Sequence, residues 1–209
     1  VFVAPRLRKP YDDDASDCAR LLYISAPDVF SYSLTENQSK LHELLRLFVT
    51  IPGNMHSREN ITVEEEDGRI RGMILAYPAR DMKRLARNTA KCFREMIRIA
   101  GFRDVLRMIL RLPINRYLPV TEDDGLFVAN LAVFEEYRGK GVAVRLLQRA
   151  QATAAGKGLR KLTLVVETDN SRAKRVYEKF GFRGVERVDL PSRYHKYDLF
   201  GYCKMVKDM

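Results

Sequence analysis

The sequence predicts a mixed α/β fold, and three local patterns carry that expectation. Residues 61–65 and 69–77 are apolar-rich runs joined around Asp67-Gly68, a dipeptide that accepts the positive φ angles of a tight hairpin turn. Residues 126–133 and 162–167 read as strands, and each is followed by a helical stretch, 142–155 and 171–180. Strand, helix, strand, helix in that order implies a parallel pair joined by a crossover, so the central sheet should be mixed and flanked by helices.

The remaining elements follow in order. Residues 1–8 suit a first strand, and Asp12-Asp13-Asp14 offers an N-cap and favourable dipole partners for a helix over 15–25. Its apolar stripe is Cys18, Leu21, Leu22 and Ile24, and a second helix is expected near 39–49. Two helical stretches, 81–100 and 104–112, are separated by Gly101 and stopped by Pro113. Gly156 and Gly158 end the helix over 142–155, Gly181 closes the helix over 171–180, and a last strand is expected over 202–206.

A chain of 209 residues with 46% hydrophobic and 31% charged residues is long enough, and ordinary enough, for one well-packed core. One domain is therefore expected over 1–209, with a basic helical insertion at about 80–120. Cys18, Cys92 and Cys203 are odd in number and match no zinc spacing, and the three histidines are scattered. Free thiols in a reducing compartment are expected, and no metal. The N-terminus meets charge within six residues and no apolar run reaches ~18 residues, so a cytoplasmic location is the default.

The net charge of +10 is concentrated between residues 80 and 116, where eleven lysines and arginines face Asp81, Glu95 and Asp104. Basic residues at 80, 84, 87, 91, 94 and 98 alternate spacings of four and three, which places them on one face of a continuous helix, opposite Leu85, Phe93, Met96, Ile97 and Ala100. The plain reading is a solvated face. The sharper ones are a lid selecting an acidic acceptor, or a surface for anionic lipid or nucleic acid. With no Trp and no nucleic-acid motif, neither nucleic acid nor a membrane is the expected partner.

Chemistry concentrates in residues 130–147. An apolar strand ends at Val133, a short polar loop follows, and Arg138-Gly-Lys-Gly-Val-Ala143 opens an amphipathic helix. Gly139 and Gly141 let backbone N–H groups approach a ligand, and unpaired N–H groups at a helix start attract phosphate. Gly141 is followed by Val, which excludes a Walker loop, and the third small residue of a dinucleotide fingerprint is absent. Alone, this Gly-x-Gly equally fits a tight strand-to-helix turn.

Arg138-x-x-Gly141-x-Ala143 resembles the pyrophosphate loop of the GNAT superfamily of N-acetyltransferases, in its bacterial form. Downstream, Asn170-x-x-Ala173-x-x-x-Tyr177-x-x-x-Gly181-Phe182 is similar to that superfamily's second signature, in the right order and at the usual separation. The resemblance runs from about Ile61 to Phe182, fits the first sixty residues loosely, and leaves 80–120 longer than the family needs. It implies a GNAT fold with antiparallel N-terminal strands and a splayed parallel pair forming the cofactor cleft. It also implies acetyl-coenzyme A (CoA) as cosubstrate. Leu131, Ala132 and Val133 would then offer main-chain hydrogen bonds to pantetheine, and Arg138, Gly139, Lys140, Gly141, Val142 and Ala143 would hold the pyrophosphate. Asn170 would touch the cofactor, although it also stands where an N-cap belongs.

Tyr177 matches the family's general acid, and its phenol is protonated at neutral pH and able to donate; its alternative is a packed ring beside Val176 and Phe180. The sequence departs from the pattern at the base. Relatives that acetylate protein N-termini often carry Glu five residues before the signature Asn, and here that residue is Val165. Strand alternation puts Thr163, Val165 and Glu167 on one face, making Glu167 the candidate base, with Glu64, Glu65 and Glu66 behind it. Tyr194, His195 and Tyr197, in an aromatic polar run near the C-terminus, are candidate acceptor contacts, or else a packed loop or dimer edge. The expected function is direct acetyl transfer to a primary amine of a small molecule. Acetylation of a protein N-terminus or Lys, and a non-catalytic acyl-CoA sensor, are the alternatives.

Overall fold

The computed structural model describes residues 4–119 and 124–209. Val1–Val3 of the expected first strand and Val120 at the end of the insertion lie outside the described residues. A seven-stranded sheet runs in the order β1-β2-β3-β4-β5-β7-β6. Its strands are β1 (Arg6–Arg8), β2 (Ile61–Glu66), β3 (Arg69–Pro78), β4 (Gly125–Val133), β5 (Lys161–Glu167), β6 (Arg183–Asp189) and β7 (Gly201–Asp208). Among the described residues only β4 and β5 pair in parallel; the other neighbours are antiparallel. The mixed sheet expected from the sequence is present. Asp67 at φ 51° and Gly68 at φ 73° form the two-residue turn between β2 and β3, with Glu66 opposite Arg69.

One face of the sheet is covered by α1 (Ala15–Ser25), α3 (Gln38–Thr50) and the inserted α4 (Met82–Ala90), α5 (Phe93–Ala100) and α6 (Phe102–Arg111), which bury Leu22, Leu44, Phe48, Leu85 and Val105 against β2, β3 and β4. The opposite face is covered by α7 (Val142–Gly156) and α8 (Ser171–Phe180), which bury Leu146, Leu147, Ala150 and Tyr177. A short helix, α2 (Pro27–Ser33), starts one residue after α1 because Pro27 removes a backbone donor that a helix start leaves unused.

Several expectations are corrected. Asp14 sits at the α1 N-cap but its side chain caps nothing; it pairs with Arg8 at 2.5 Å and accepts from the Tyr11 N–H at 2.6 Å, which ties β1 to the helix start. The helix expected over 81–100 breaks at Lys91 and Cys92. There the N–H groups make tight turns to Asn88 and Thr89 (3.1 Å each), and the Thr89 hydroxyl back-bonds to the Leu85 carbonyl at 3.1 Å, a contact that bends helices. Cys92 is turned into the core, so the six basic residues do not share one continuous face. Strand β6 was not expected.

Candidate active site

The loop between β4 and α7 is built to leave peptide nitrogens bare. After Val133 the Phe134 N–H bonds to the Arg71 carbonyl (3.0 Å), and a 3-10 turn at Glu135–Tyr137 leads to Gly139 and Gly141, both at φ 78°. A side chain would be strained at either glycine, and the left-handed turn at Gly141 lets the helix begin immediately at Val142. The N–H groups of Gly139, Gly141, Val142, Ala143 and Val144 meet no acceptor among the described residues, and the first helical bond is made by Arg145 to the Gly141 carbonyl. Such a row of donors at the positive end of a fifteen-residue helix fits a diphosphate.

A buried ion cluster fixes this loop. The Glu64 carboxylate, fully buried on β2, receives Arg145 in a bidentate pair at 2.7 and 2.8 Å, with the Arg71 Nε at 3.8 Å. Arg145 also donates to the Lys140 carbonyl at 3.1 Å. Glu64 therefore serves the loop's geometry. Gly72 on β3 completes the junction, since a Cβ there would lie 2.7 Å from the Ala132 carbonyl oxygen and 3.0 Å from Val142 Cγ1.

Strands β4 and β5 pair only from Gly125↔Lys161 to Val128↔Leu164. Beyond that point a bulge intervenes, because Leu75 faces Asn130 while Ala76 faces Val128, leaving Ala129 as the extra residue. From there β4 continues along β3 and β5 continues along β7 to Glu167↔Tyr202, so the two strand ends separate. Asn130 Nδ2 donates to Ser25 Oγ at 2.7 Å, which anchors the diverging end of β4 to α1. The gap is part of a continuous cavity of about 1840 Å³. Leu131, Ala132 and Val133 line it from one side, and Val165, Val166 and Glu167 from the other.

Tyr177 borders the same cavity from α8 and is 9% exposed, its ring edge-on to Phe182 at 5.8 Å. Burial pushes its phenol up to about 12, so the proton is retained at neutral pH. Glu167 Oε1 is buried without a hydrogen-bond partner among the described residues. Burial first, and then the charges of Asp169 and Asp28, raise its carboxyl to about 7, where it exchanges a proton near neutrality.

The cavity also takes in Arg138, Gly139, Gly141, Val142, Ala143 and Asn170. Arg138 donates to the Val133 carbonyl at 3.3 Å, and Asn170 caps α8 through the Ala173 N–H at 3.0 Å while bordering the cavity. Lys140 does not line it; its ammonium lies over the Tyr137 ring at 5.4 Å. Nor do Tyr194, His195 and Tyr197. Tyr194 is buried edge-on to Tyr32 at 5.9 Å, Tyr197 packs on the same ring at 4.9 Å, and His195 Nε2 lies 3.0 Å from the Leu190 carbonyl. Tyr202, a member of the same cluster, does border the cavity, and its register opposite Glu167 follows once β7 is paired with β5. Tyr77 and His56 also line the cavity, and their hydroxyl and Nδ1 are buried without hydrogen-bond partners among the described residues. No group of metal-ligating side chains is present among the described residues, and no helix is long and apolar enough to cross a membrane.

Residues 28–182 match the acetyltransferase (GNAT) family model. N-alpha-acetyltransferase 30 of Schizosaccharomyces pombe is 36% identical over 62 residues, which is 30% of this chain and 41% of that protein, so the aligned stretch spans about two fifths of the relative. An N-acetyltransferase structure from Staphylococcus aureus Mu50 superposes with a TM-score of 0.71 at 17% identity, covering 96% of this chain and 99% of the other. The N-acetyltransferase PaiA of Thermoplasma acidophilum, in complex with coenzyme A, gives 0.55 at 14% identity over 99% and 100%. At these identities the structures share the fold. The chain belongs to the GNAT family of acetyltransferases.

Proposed function

We propose that the protein transfers an acetyl group from acetyl-CoA directly to a primary amine of a small molecule, and that residues 1–209 form one GNAT domain carrying a helical insertion. The observation that carries this is the juxtaposition of bare N–H groups at Gly139–Val144 with the gap between β4 and β5. The first holds a diphosphate, and the second exposes strand edges at Leu131, Ala132 and Val133 to the pantetheine amides. Acetyl-CoA supplies the activated thioester.

The chain's own residues then have three tasks. Glu167, ionised in part near pH 7, takes the proton of the attacking amine directly or through one water, so that nitrogen's lone pair forms the C–N bond. A main-chain N–H near Leu131 stabilises the negative charge developing on the carbonyl oxygen. Tyr177 gives its proton to the sulfur as the C–S bond breaks. Tyr202, bordering the cavity opposite Glu167, contacts the acceptor.

A second reading, transfer to a protein N-terminus, draws support from the similarity to N-alpha-acetyltransferases of Schizosaccharomyces pombe and Arabidopsis thaliana. Val165, in place of a Glu, weakens it. Thiol release from acetyl-CoA, followed with a panel of small amines and of peptides with free N-termini, separates the two. Release driven by small amines alone is expected. Release driven only by peptides would establish the second reading, and none above background hydrolysis would overturn both.

A further inference from the structure

The cavity does not end at the reaction centre. Beside Leu131 it continues into an open space lined by the insertion, with Ala86 and Ala90 on α4, Phe93 and Met96 on α5, and Val105 and Met108 on α6. Acetyl transfer needs no such space. At about 1840 Å³ in all, the cavity exceeds the roughly 300–1,000 Å³ of ordinary small-ligand sites. Four large apolar side chains reached by solvent, Phe93, Ile109, Leu112 and Leu118, border this arm. Apolar walls around an unfilled space forgo dispersion contacts, so an apolar occupant is favoured. Tyr77, 1% exposed with its hydroxyl unpartnered, also faces this cavity.

During transfer two groups extend from the carbonyl carbon away from the CoA sulfur, the acyl chain and the incoming amine. The amine is drawn toward the carboxylate side, where Glu167 stands at the end of β5 with Asp169 and Asp28 close enough to perturb it. The arm under the inserted helices offers an amine no carboxylate, since Glu167 is the one acidic side chain lining the cavity among the described residues. We infer that this arm receives the acyl chain, so that the protein accepts donors with a medium or long apolar chain in addition to acetyl-CoA. The inference rests on the proposed use of an acyl-CoA donor and changes only the acyl group transferred. The C–N and C–S bond changes and both proton movements are as above.

Calorimetric titration with free CoA and with acetyl-, hexanoyl- and decanoyl-CoA, each below its micelle concentration, tests this. Affinity should rise by about fourfold per buried methylene, until the arm is filled. That places hexanoyl-CoA, four methylenes longer, on the order of 10²-fold above acetyl-CoA, and decanoyl-CoA higher still where the arm takes its whole chain. Ala86 and Ala90, four residues apart on one face of α4 and both solvent-accessible, can take larger side chains without entering the core. The double change Ala86→Phe, Ala90→Phe should lower the chain length at which affinity stops rising, with free CoA as internal reference. Equal affinity for acetyl- and decanoyl-CoA, or an unaltered chain-length series in the double variant, would overturn this inference alone. Failure of free CoA to bind would instead overturn the donor assignment beneath it.

Discussion

Glu167→Gln should make the protein more stable at alkaline pH while disabling it. Burial, with Asp169 and Asp28 nearby, raises the carboxyl from 4.5 to about 7 in the fold. At about 1.4 kcal/mol per tenfold change in proton affinity, that displacement is worth up to about 3 kcal/mol. The sign follows from proton uptake. Between pH 4.5 and 7 the folded state binds more proton than the unfolded chain, so the contribution is complete below 4.5 and lost as pH rises through 7. Above pH 7 the wild type carries a buried charge that glutamine avoids at nearly the same shape. Urea denaturation at pH 5 and pH 8.5 reads this out. At pH 8.5 the variant should exceed wild type by about 1–3 kcal/mol, and at pH 5 most of that difference should vanish. A difference independent of pH, or a less stable variant at pH 8.5, would refute the buried-carboxylate argument. Turnover should fall by about 10²–10⁴-fold, and the acid limb of kcat/KM near pH 7 should disappear.

Tyr177→Phe should lower turnover by about 10²-fold or more with a much smaller change in CoA affinity; unchanged turnover in a thiol-release assay would remove this phenol from the mechanism. Glu64→Gln strips the charge partner from the part-exposed Arg145, while Arg71 keeps Glu66 at 2.6 Å, so urea denaturation should show a loss of about 1–2 kcal/mol. CoA binding should weaken with it, because Arg145 holds the Lys140 carbonyl. Gly72→Ala drives a methyl to 2.7 Å from the Ala132 carbonyl and should cost about 1–3 kcal/mol in thermal denaturation, with no change expected only if β3 stands further from β4.

Elements whose signals are local were legible in the sequence. Asp67-Gly68 alone specifies the hairpin turn, and α8 lies between its Asn170 cap and the left-handed Gly181 as read. The expected bounds of α1 are also those observed, although Asp14 serves Arg8 and not the helix cap. Strand β6 escaped notice because all but one of its residues are exposed, so an edge strand written Arg-Gly-Val-Glu-Arg-Val-Asp shows no buried alternation. The break in the insertion depends on Thr89 and on Cys92 finding the core, which helical periodicity does not register. Gly139, Gly141, Tyr177 and Glu167, candidates from the resemblance's motifs and from strand parity, all border the cavity. The opening they serve comes from a bulge at Ala129 and from β5 following β7, which are properties of strand pairing that no single segment encodes. The aromatic run at 194–197 has a composition that suits an acceptor contact or a packed loop, and its packing on Tyr32 depends on a partner distant in the chain.

Calorimetric comparison of CoA with pantetheine, which lacks the diphosphate, bears most directly on the cradle formed by Gly139–Val144. If those peptide nitrogens hold the diphosphate, CoA should bind with a measurable heat that weakens as salt rises, and pantetheine should bind at least about 10²-fold more weakly. Equal affinities for the two, or no heat with CoA, would contradict the account.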